Sequence, residues 1–570
     1  MLQTFLREAR IPPSGPQPGS SNGQVPGPGS DRPWTAIGLL ALGLAGPAWA
    51  IEDVPEGTLR WLQGFDGNPP TAGFRVDGTL LLRSVDDIAN IGVNLSSGSI
   101  TNSPTGAIRT EVGVSGARFI SGSVYNEGLI RLDAVTSFGA AGAVHENRGQ
   151  FEIGTGARAT FTGKGGVFRQ AGGELRAGER NLELRDGRFE FTGGSITGRP
   201  LLVRSTVSVG GPELAFSAEM AGPGGRFVGP LASPLHLRVL SASGLGGDTA
   251  VTLEGDGALA GHLEVGSLSG GRVALATTAG RLWIQPGGRF TVGTTGGGAT
   301  TLAGNLHNEG TLQLTGDLTV ANSALVTTNL GELRIPAGRT LRVDGALRHE
   351  AGELALAGGT IDAGSGFTLK SPMAQATGEI RGGITNASSL LLDQAVGGLL
   401  IRDRFKGEPG SELRLVVSEP ESSDPLLTVI GVLAAGGDCR VELEEGFVPP
   451  PGATFPLFRH QGTDGRFDSI ALPELPPGKF WNLVRDRLTW DLVVQDEPAP
   501  FALTADVDDG QVRLRLEGTP GKSATVLQST NLADWSEVGV ATPFSGDLEM
   551  NLAGESEAPA HRFFRASVTP

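Results

Sequence analysis

Along most of the chain, apolar and polar residues alternate over runs of about four, as in Thr311-Leu312-Gln313-Leu314 and Gln150-Phe151-Glu152-Ile153. Alternation with period two puts one row of side chains inside and the other in water, which is the pattern of a half-buried β-strand. The runs follow a recurring phrase. "HNEGTLQLTGDLTV" at 307–320 has relatives in "VYNEGLIRLDAV" from 124, "HENRGQFEIGTG" from 145, "TNLGELRIPAG" from 328 and "HEAGELALAGG" from 349. Aligned on glycine, Gly310, Gly331 and Gly352 stand 21 residues apart, as do Gly128 and Gly149, and Gly106 and Gly173 keep nearly the same step.

A fixed period containing two or three short strands fits one coil of a parallel β-helix, in which each coil pairs with those above and below and buries a continuous interior. An antiparallel sandwich would also alternate, but it gives no reason for a period. From about 74 to 402 the array holds roughly 14 coils if the period persists. Asn126, Gly128, Asn147, Gly149, Asn308, Gly310, Asn329, Gly331 and Gly352 are read as structural corners, because Asn and Gly tolerate positive φ and Asn bonds neighbouring backbone. Asn329 falling over Asn308 predicts a ladder of structural amides, with Leu312 and Leu314 inward and Thr311 and Gln313 outward. Between 200 and 300 the spacing drifts, yet "LRVLSASGLGG", "VTLEGDGALAGHLEVGSLSG" and "GRLWIQPGGRFTVG" still read as coils.

The fold class expected is therefore all-β, a parallel β-helix of about 21 residues per coil followed by a small C-terminal antiparallel β-sandwich. Residues 1–50 read as a signal peptide with a long first region, 51–73 as a lead-in cap, 74–402 as the β-helix, and 403–495 as a Pro-rich closing unit. Residues 496–500 read as a linker and 501–570 as a β-sandwich module, whose six short strands are separated by turn residues. The export reading rests on Thr35–Ala50, a short apolar run that ends Ala48-Trp49-Ala50 and follows Arg32. It is shorter than the roughly 20 apolar residues of a membrane span and has the A-x-A ending of a cleavage site. An extracellular, cell-surface or periplasmic location follows.

Gly at 89 residues without a Gly-X-Y period points to tight corners rather than collagen, and 39% hydrophobic residues point to a packed interior. A net charge of −16 argues against nucleic acid, which needs a basic face. Cys439 is the single cysteine, so no intrachain disulfide forms and the residue is expected as a small apolar group on a strand.

The N-x-G-x-L-x-L coils resemble the autotransporter-associated β-strand repeats of large secreted bacterial proteins. Residues 436–493 are similar to the closing unit such proteins carry, through Gly437, Gly446-Phe447, Gly452, Phe455, Leu457, Gly465, Phe467, Leu472-Pro473, Leu475-Pro476, Gly478 and Trp481. The last module resembles one common in verrucomicrobial and planctomycetal exported proteins, through Ser529-Thr530-Asn531-Leu532, Trp535 and Arg562-Phe563-Phe564-Arg565. The resemblance implies a passenger-like solenoid and no defined activity. The sequence departs from true autotransporters in showing no run of amphipathic strands for a terminal membrane barrel.

Candidate chemistry is sparse. His145, His236, His262, His307, His349, His460 and His561 are scattered, with no zinc-ligand spacing, and His307 and His349 read as turn residues. Gly521-Lys522-Ser523 lacks the first glycine of a phosphate loop, since position 516 is Leu516. Asp506, Asp508 and Asp509 lack the spacing and closing Glu of an EF-hand. Glu332 and Glu353 occupy equivalent repeat positions and could stack at glycosidase-like separations, but polar residues are expected at outward positions anyway. With Tyr125 the sole Tyr and Trp283 the only Trp of the array, no aromatic sugar-binding groove is indicated. No catalytic, cofactor or metal residue is assigned. The function expected is a structural or adhesive exported solenoid, with extracellular polysaccharide or cell-envelope components as partner classes and no nucleic acid. The alternative is a carbohydrate-active β-helix enzyme, a polysaccharide lyase or glycoside hydrolase.

Overall fold

The computed structural model describes residues 52–496, apart from 63–71, 85–89, 114–115, 246, 295 and 419–423, and residues 502–569, apart from 509–510, 518–522, 542–546 and 553–561. The expected signal peptide and, except for Asp496, the expected linker lie outside the described residues. The chain is all-β and winds as a parallel β-solenoid of about 16 turns with about 22 residues per turn. At the backbone hydrogen-bonding distance of ~4.8 Å per coil, 16 turns make a rod roughly 75 Å long.

Each coil contributes in order to three sheets. Sheet 1 runs without interruption from Phe74–Val76 through Val144–Asn147, Val167–Gln170, Arg188–Phe191, Thr206–Val209 and Gly225–Val228 to Leu318–Ala321 and Thr340–Val343. Sheet 2 holds Leu59–Leu62, Thr79–Leu82, Ala107–Thr110, Leu129–Leu132 and Gln150–Ile153 in the first half. In the second half it holds Val326–Asn329, Ala346–His349, Phe367–Leu369, Ile384–Asn386 and Arg404–Gly407. Sheet 3 includes Phe216–Ala221, Leu235–Ser241, His262–Ser267, Arg289–Thr294, Thr311–Thr315 and Glu332–Pro336. In the middle, where the spacing drifts, sheet 2 thins to the bridge Leu231↔Leu259 and the two-residue strand Ala258–Leu259. Sheet 3 strands lengthen there to six or seven residues, so the chain still closes each turn.

The register explains the interior. Phe138 lies over Phe161 with rings 4.4 Å apart and 12° from parallel, and Phe168 over Phe189 at 5.5 Å, because the same position of successive coils faces the same interior spot. Leu312 and Leu314 are fully buried, and Thr311 and Gln313 lie on the outward row. Cys439 is buried between Leu413 and Ile470 in register, and burial pushes its thiol up to about 12.

At the corners, Asn102 Nδ2 donates to Asn126 Oδ1 at 2.6 Å, Asn126 to Asn147 at 2.6 Å, and Asn147 to Gln170 Oε1 at 2.8 Å. A second column begins with Asn308 Nδ2 donating to Asn329 Oδ1 at 2.6 Å. The two columns occupy different corners. Asn102, Asn126 and Asn147 end strands of sheet 1, whereas Asn308 and Asn329 end strands of sheet 2, so the same phrase shifts by one side of the prism across the irregular middle. Asn102, Asn126, Asn147 and Asn308 also donate to a main-chain carbonyl of the next coil, Asn126 to Gln150 O at 3.0 Å and Asn308 to Glu332 O at 2.9 Å, whereas Asn329 donates to Gly331 O of its own turn. The columns are polarised. The first oxygens, Asn102 Oδ1 and Asn308 Oδ1, are buried without a partner, since Val76 and Ile284 precede them in register.

His349 corrects an expectation. It is not a turn residue but the third member of the second column, buried, with Nδ1 2.9 Å from Asn329 Nδ2. A donating amide there requires Nδ1 to be the bare nitrogen, so the ring proton sits on Nε2. The role expected for the corner glycines is corrected too. Among Gly128, Gly149, Gly310, Gly331 and Gly352, only Gly352 has positive φ, at 81°. The others are required by close approach of coils. A Cβ would meet the carbonyl oxygen of the coil below at 2.2 Å from Gly128, Gly149 and Gly331 and at 2.3 Å from Gly310. Those same oxygens accept from the next strand, Gly128 O from Gln150 N at 2.8 Å and Gly310 O from Glu332 N at 2.7 Å.

Parallel pairing continues past 403 through Asp438–Leu443 to Ser469–Ala471. The Pro-rich composition there coincides with longer loops between coils, not with the end of the coils. Thr489–Asp496 then pairs antiparallel on Thr454–Gly465, and Lys479–Arg485 pairs antiparallel on Thr489–Asp496, closing the end. Trp490 covers Phe458 and Phe467, Trp481 Nε1 donates to Pro473 O at 2.8 Å, and the Arg485 guanidinium lies 4.4 Å over Trp490. In the C-terminal module, Ala502–Asp508, Gln511–Glu517 and Asp547–Leu552 form one antiparallel sheet, and Ser536–Ala541, Ser523–Ser529 and Phe563–Thr569 form another. Leu514 and Leu516 of the first pack with Val526 of the second.

Three measurements check this account. Asn126→Leu strands the donor of Asn102 and the acceptor of Asn147, and is expected to cost about 3 kcal/mol in denaturant unfolding; a loss below about 0.5 kcal/mol would show that the ladder contributes little. Gly331→Ala is expected to lose about 3 kcal/mol or more, or to fail to fold, whereas Gly244→Ala, with open space at its Cβ, should be neutral. His145 is buried between Phe138 and Phe161, and burial lowers its pKa from 6.5 to about 4. As pH falls, the unfolded chain takes up this proton first, so stability falls between pH 6.5 and about 4 and levels off below, by up to about 3 kcal/mol. His145→Leu should remove that part of the pH dependence; parallel stability curves for the two proteins would contradict the assignment.

Candidate functional site: the outward face of sheet 3

The densest polar chemistry lies on the outward rows of sheet 3. Pairing puts His236 beside His262, and Glu219, Arg238 and Glu264 in one column. The two imidazoles stack with centroids 4.4 Å apart and planes 6° from parallel. His236 Nε2 is 3.5 Å from Glu264 Oε2, and His262 Nε2 is 3.2 Å from Thr291 Oγ1. Burial, joined by the Arg199 charge, holds His236 below the usual imidazole range, and burial with the neighbouring His236 does the same to His262. Both rings are therefore neutral at pH 7.

Glu264 is held at both oxygens by Arg238, Nη2 at 3.0 Å and Nε at 2.9 Å. Glu219 is fully buried, with Arg180 Nη2 at 2.7 Å from Oε1 and Arg238 Nη1 at 3.6 Å from Oε2. Arg180 reaches over it from a bulge in the strand Glu174–Arg185, where its own φ is 60°. The column alternates carboxylate, guanidinium, carboxylate, so each charge meets its opposite in the adjacent coil. The arrangement acts as a self-neutralising structural column.

Farther along the same face, Glu332 and Glu353 are adjacent coil positions by the register Leu333↔Leu354. Glu332 is engaged by Arg334 and accepts from Thr311 Oγ1 at 3.1 Å, whereas Glu353 is exposed. Glu353 and Asp393 line one depression of about 290 Å³ whose floor is small, with Ala355, Ala374 and Ala376. A neighbouring depression of about 510 Å³ holds Gln313, Arg334 and Glu353. Among the described residues no group of three or more His, Cys, Asp or Glu is placed to hold a metal ion.

The corner residues Asn126, Gly128, Asn147, Gly149, Asn308, Gly310, Asn329, Gly331 and Gly352 are brought together in two columns, the first between sheets 1 and 2 and the second at the corner that leads into sheet 3. The His236–His262 pair was missed by spacing, because the coil there takes 26 residues. Its signal is the repeated "HLRV" at 236 and "HLEV" at 262. In the C-terminal module, Asn531 Oδ1 accepts from Ala533 N at 2.9 Å and Asp534 N at 2.8 Å and holds Leu532 at φ 62°. Trp535 Nε1 donates to Leu532 O, and Arg565 lies 4.2 Å over the Trp535 ring. Gly521, Lys522 and Asp509 lie outside the described residues.

Fold and site together define a three-sided parallel β-solenoid with a small antiparallel module after it. No protein-family model matches the chain, and no curated protein sequence matches it.

Arg238→Ala leaves Glu219 buried with one partner and Glu264 with only the His236 ring beside it, and is expected to destabilise by about 3 kcal/mol. Glu219→Leu combined with Arg238→Ala should recover much of that loss. Denaturant unfolding of the two variants reads the coupling, and additive losses would contradict the charge column.

Proposed function

We propose that the protein is an exported, non-enzymatic structural or adhesive solenoid, acting at the cell surface or in the extracellular space. The observation that carries this reading is the parallel pairing sustained from Val54↔Val76 to Asp438↔Ser469 and then closed by antiparallel strands. A rod whose coils pair throughout is a stiff spacer, and its closing strands limit end-to-end growth through an open sheet edge. The Thr35–Ala50 run and the resemblance to autotransporter-associated repeats support export and a passenger-like role. Outward rows of ion pairs and hydroxyls suit weak contacts repeated along a polymer.

A second reading, a carbohydrate-active enzyme, draws on one observation: Glu353 and Asp393 share a depression. Incubating the purified protein with a panel of neutral and acidic glycans separates the two. Binding without new chain ends is the expected result. Turnover that disappears in Glu353→Gln or Asp393→Asn would replace the adhesive reading with the enzymatic one.

A further inference from the structure

Sheet 2 carries a groove that the sites above do not use. Its outward row reads Arg348, Thr368, Thr385 and Lys406 in four successive coils. At ~4.8 Å per coil the two cations stand roughly 14 Å apart along the rod. The corner leading into this row is made of Gly364, Ser365 and Gly366 in one coil and Gly382 and Gly383 in the next, so almost no side chain fills the space. The result is an open groove of about 600 Å³ that also takes in Asp403 and Arg404.

The charge of the groove runs against that of the molecule. The chain carries a net −16, yet this lining has three cations and one carboxylate. Arg404 donates to Asp464 at 3.0 Å and Lys406 lies 2.7 Å from Glu408, both exposed pairs that a competing anion can exchange with. The Arg348 guanidinium has no ion-pair or hydrogen-bond partner among the described residues. Phe367 is buried beneath the row, so no ring is available for stacking. Recognition there must come from charge and hydroxyl contacts, and the cations are arranged along the rod axis rather than around a point.

We propose that this groove binds a segment of an extended anionic glycan, whose carboxylate or sulfate groups pair with Arg348 and with Lys406 or Arg404 while its hydroxyls bond Thr368 and Thr385. A single exposed ion pair is weak, so affinity requires a ligand that reaches both ends of the row. The proposal names the partner class of the adhesive reading above and rests on it.

Calorimetric titration of the full chain with an oligogalacturonate, a chondroitin sulfate oligomer, a neutral cello-oligosaccharide of similar length and inorganic sulfate tests the proposal. At least one acidic oligomer should bind, with affinity falling as salt rises. The double variant Arg348→Ala/Lys406→Ala should weaken it at least tenfold, while Arg342→Ala on sheet 1 leaves it unchanged. Preference between the two acidic oligomers identifies the carboxylate or the sulfate as the ligand group. No acidic binding, equal binding of the neutral oligomer or of free sulfate, or unchanged binding in the double variant would each overturn the groove assignment. Cleavage of a bound oligomer would instead overturn the non-enzymatic reading and leave the groove assigned.

Discussion

In-register stacking of coils at the distance of a backbone hydrogen bond constrains every other feature of this protein. A residue at a given position lies on its counterpart one turn away, with ~4.8 Å between the backbones. Only some side chains tolerate a copy of themselves at that distance. A carboxamide does, because it carries both donor and acceptor, and so Asn102, Asn126 and Asn147 form one column and Asn308 and Asn329 another. Aromatic rings do when parallel, as Phe138 and Phe161 show. Like charges stack only where water screens them, as in exposed Arg109 on Arg131, and in other columns the charges alternate: Arg131, Glu152 and Arg176 on sheet 2, Glu146, Arg169 and Glu190 on sheet 1, and Glu219, Arg238 and Glu264 on sheet 3. Where backbones touch, only glycine fits.

The same constraint shapes what the surface offers a partner. Much outward charge is already matched along its own strand or by the adjacent coil, as in Arg131 with Asp133 and Glu152, so each exposed pair contributes little to stability and only a weak contact to a ligand. Exceptions arise where the column is broken by side chains that cannot pair. Arg348 is followed by two threonines before the next cation, and the glycine corner beside it removes the cover that neighbouring coils possess. Along sheet 3 the charges at Glu219, Arg238 and Glu264 engage one another, and the groove on sheet 2 with fewer charges leaves the Arg348 guanidinium free among the described residues. His236 and His262 fit this view, since stacking and burial keep both neutral and tied into the wall.

Much of the fold was legible in the sequence because its information is periodic. Alternation marked the inward rows, so Leu312 and Leu314 could be placed without coordinates. The spacing of Gly310, Gly331 and Gly352 marked the turn. The phase shift of the phrase from one corner to another was not legible, since an alignment on Asn and Gly looks the same on either side of the prism. Nor was the reason for Gly128 and Gly331, because a carbonyl 2.2 Å from an absent Cβ belongs to a different coil. His349 was hidden for a related reason: an imidazole nitrogen can stand in for an amide oxygen, which a letter-by-letter repeat does not reveal. The charge column at Glu219 depends on Arg180, placed by a strand bulge rather than by the period. In the C-terminal module, Trp535 and Arg565 were noticed only as a resemblance. The structure supplies their cause, a turn held by Asn531 and closed by a cation over a ring.

The polar columns are the central claim, and exchange of their own side-chain protons tests it most directly. With asparagine labelled selectively in nitrogen-15, the side-chain amides of Asn102, Asn126, Asn147, Asn308 and Asn329 can be followed in deuterated solvent, each assigned by its Asn→Gln or Asn→Ala variant. All but Asn102 and Asn308 have both a donor and an acceptor engaged in the ladder. Because the amide nitrogens of all five donate inside the corner, their protons should persist far longer than those of exposed asparagines such as Asn531. Exchange of the five at the rate of an exposed amide would show that the columns do not exist in solution.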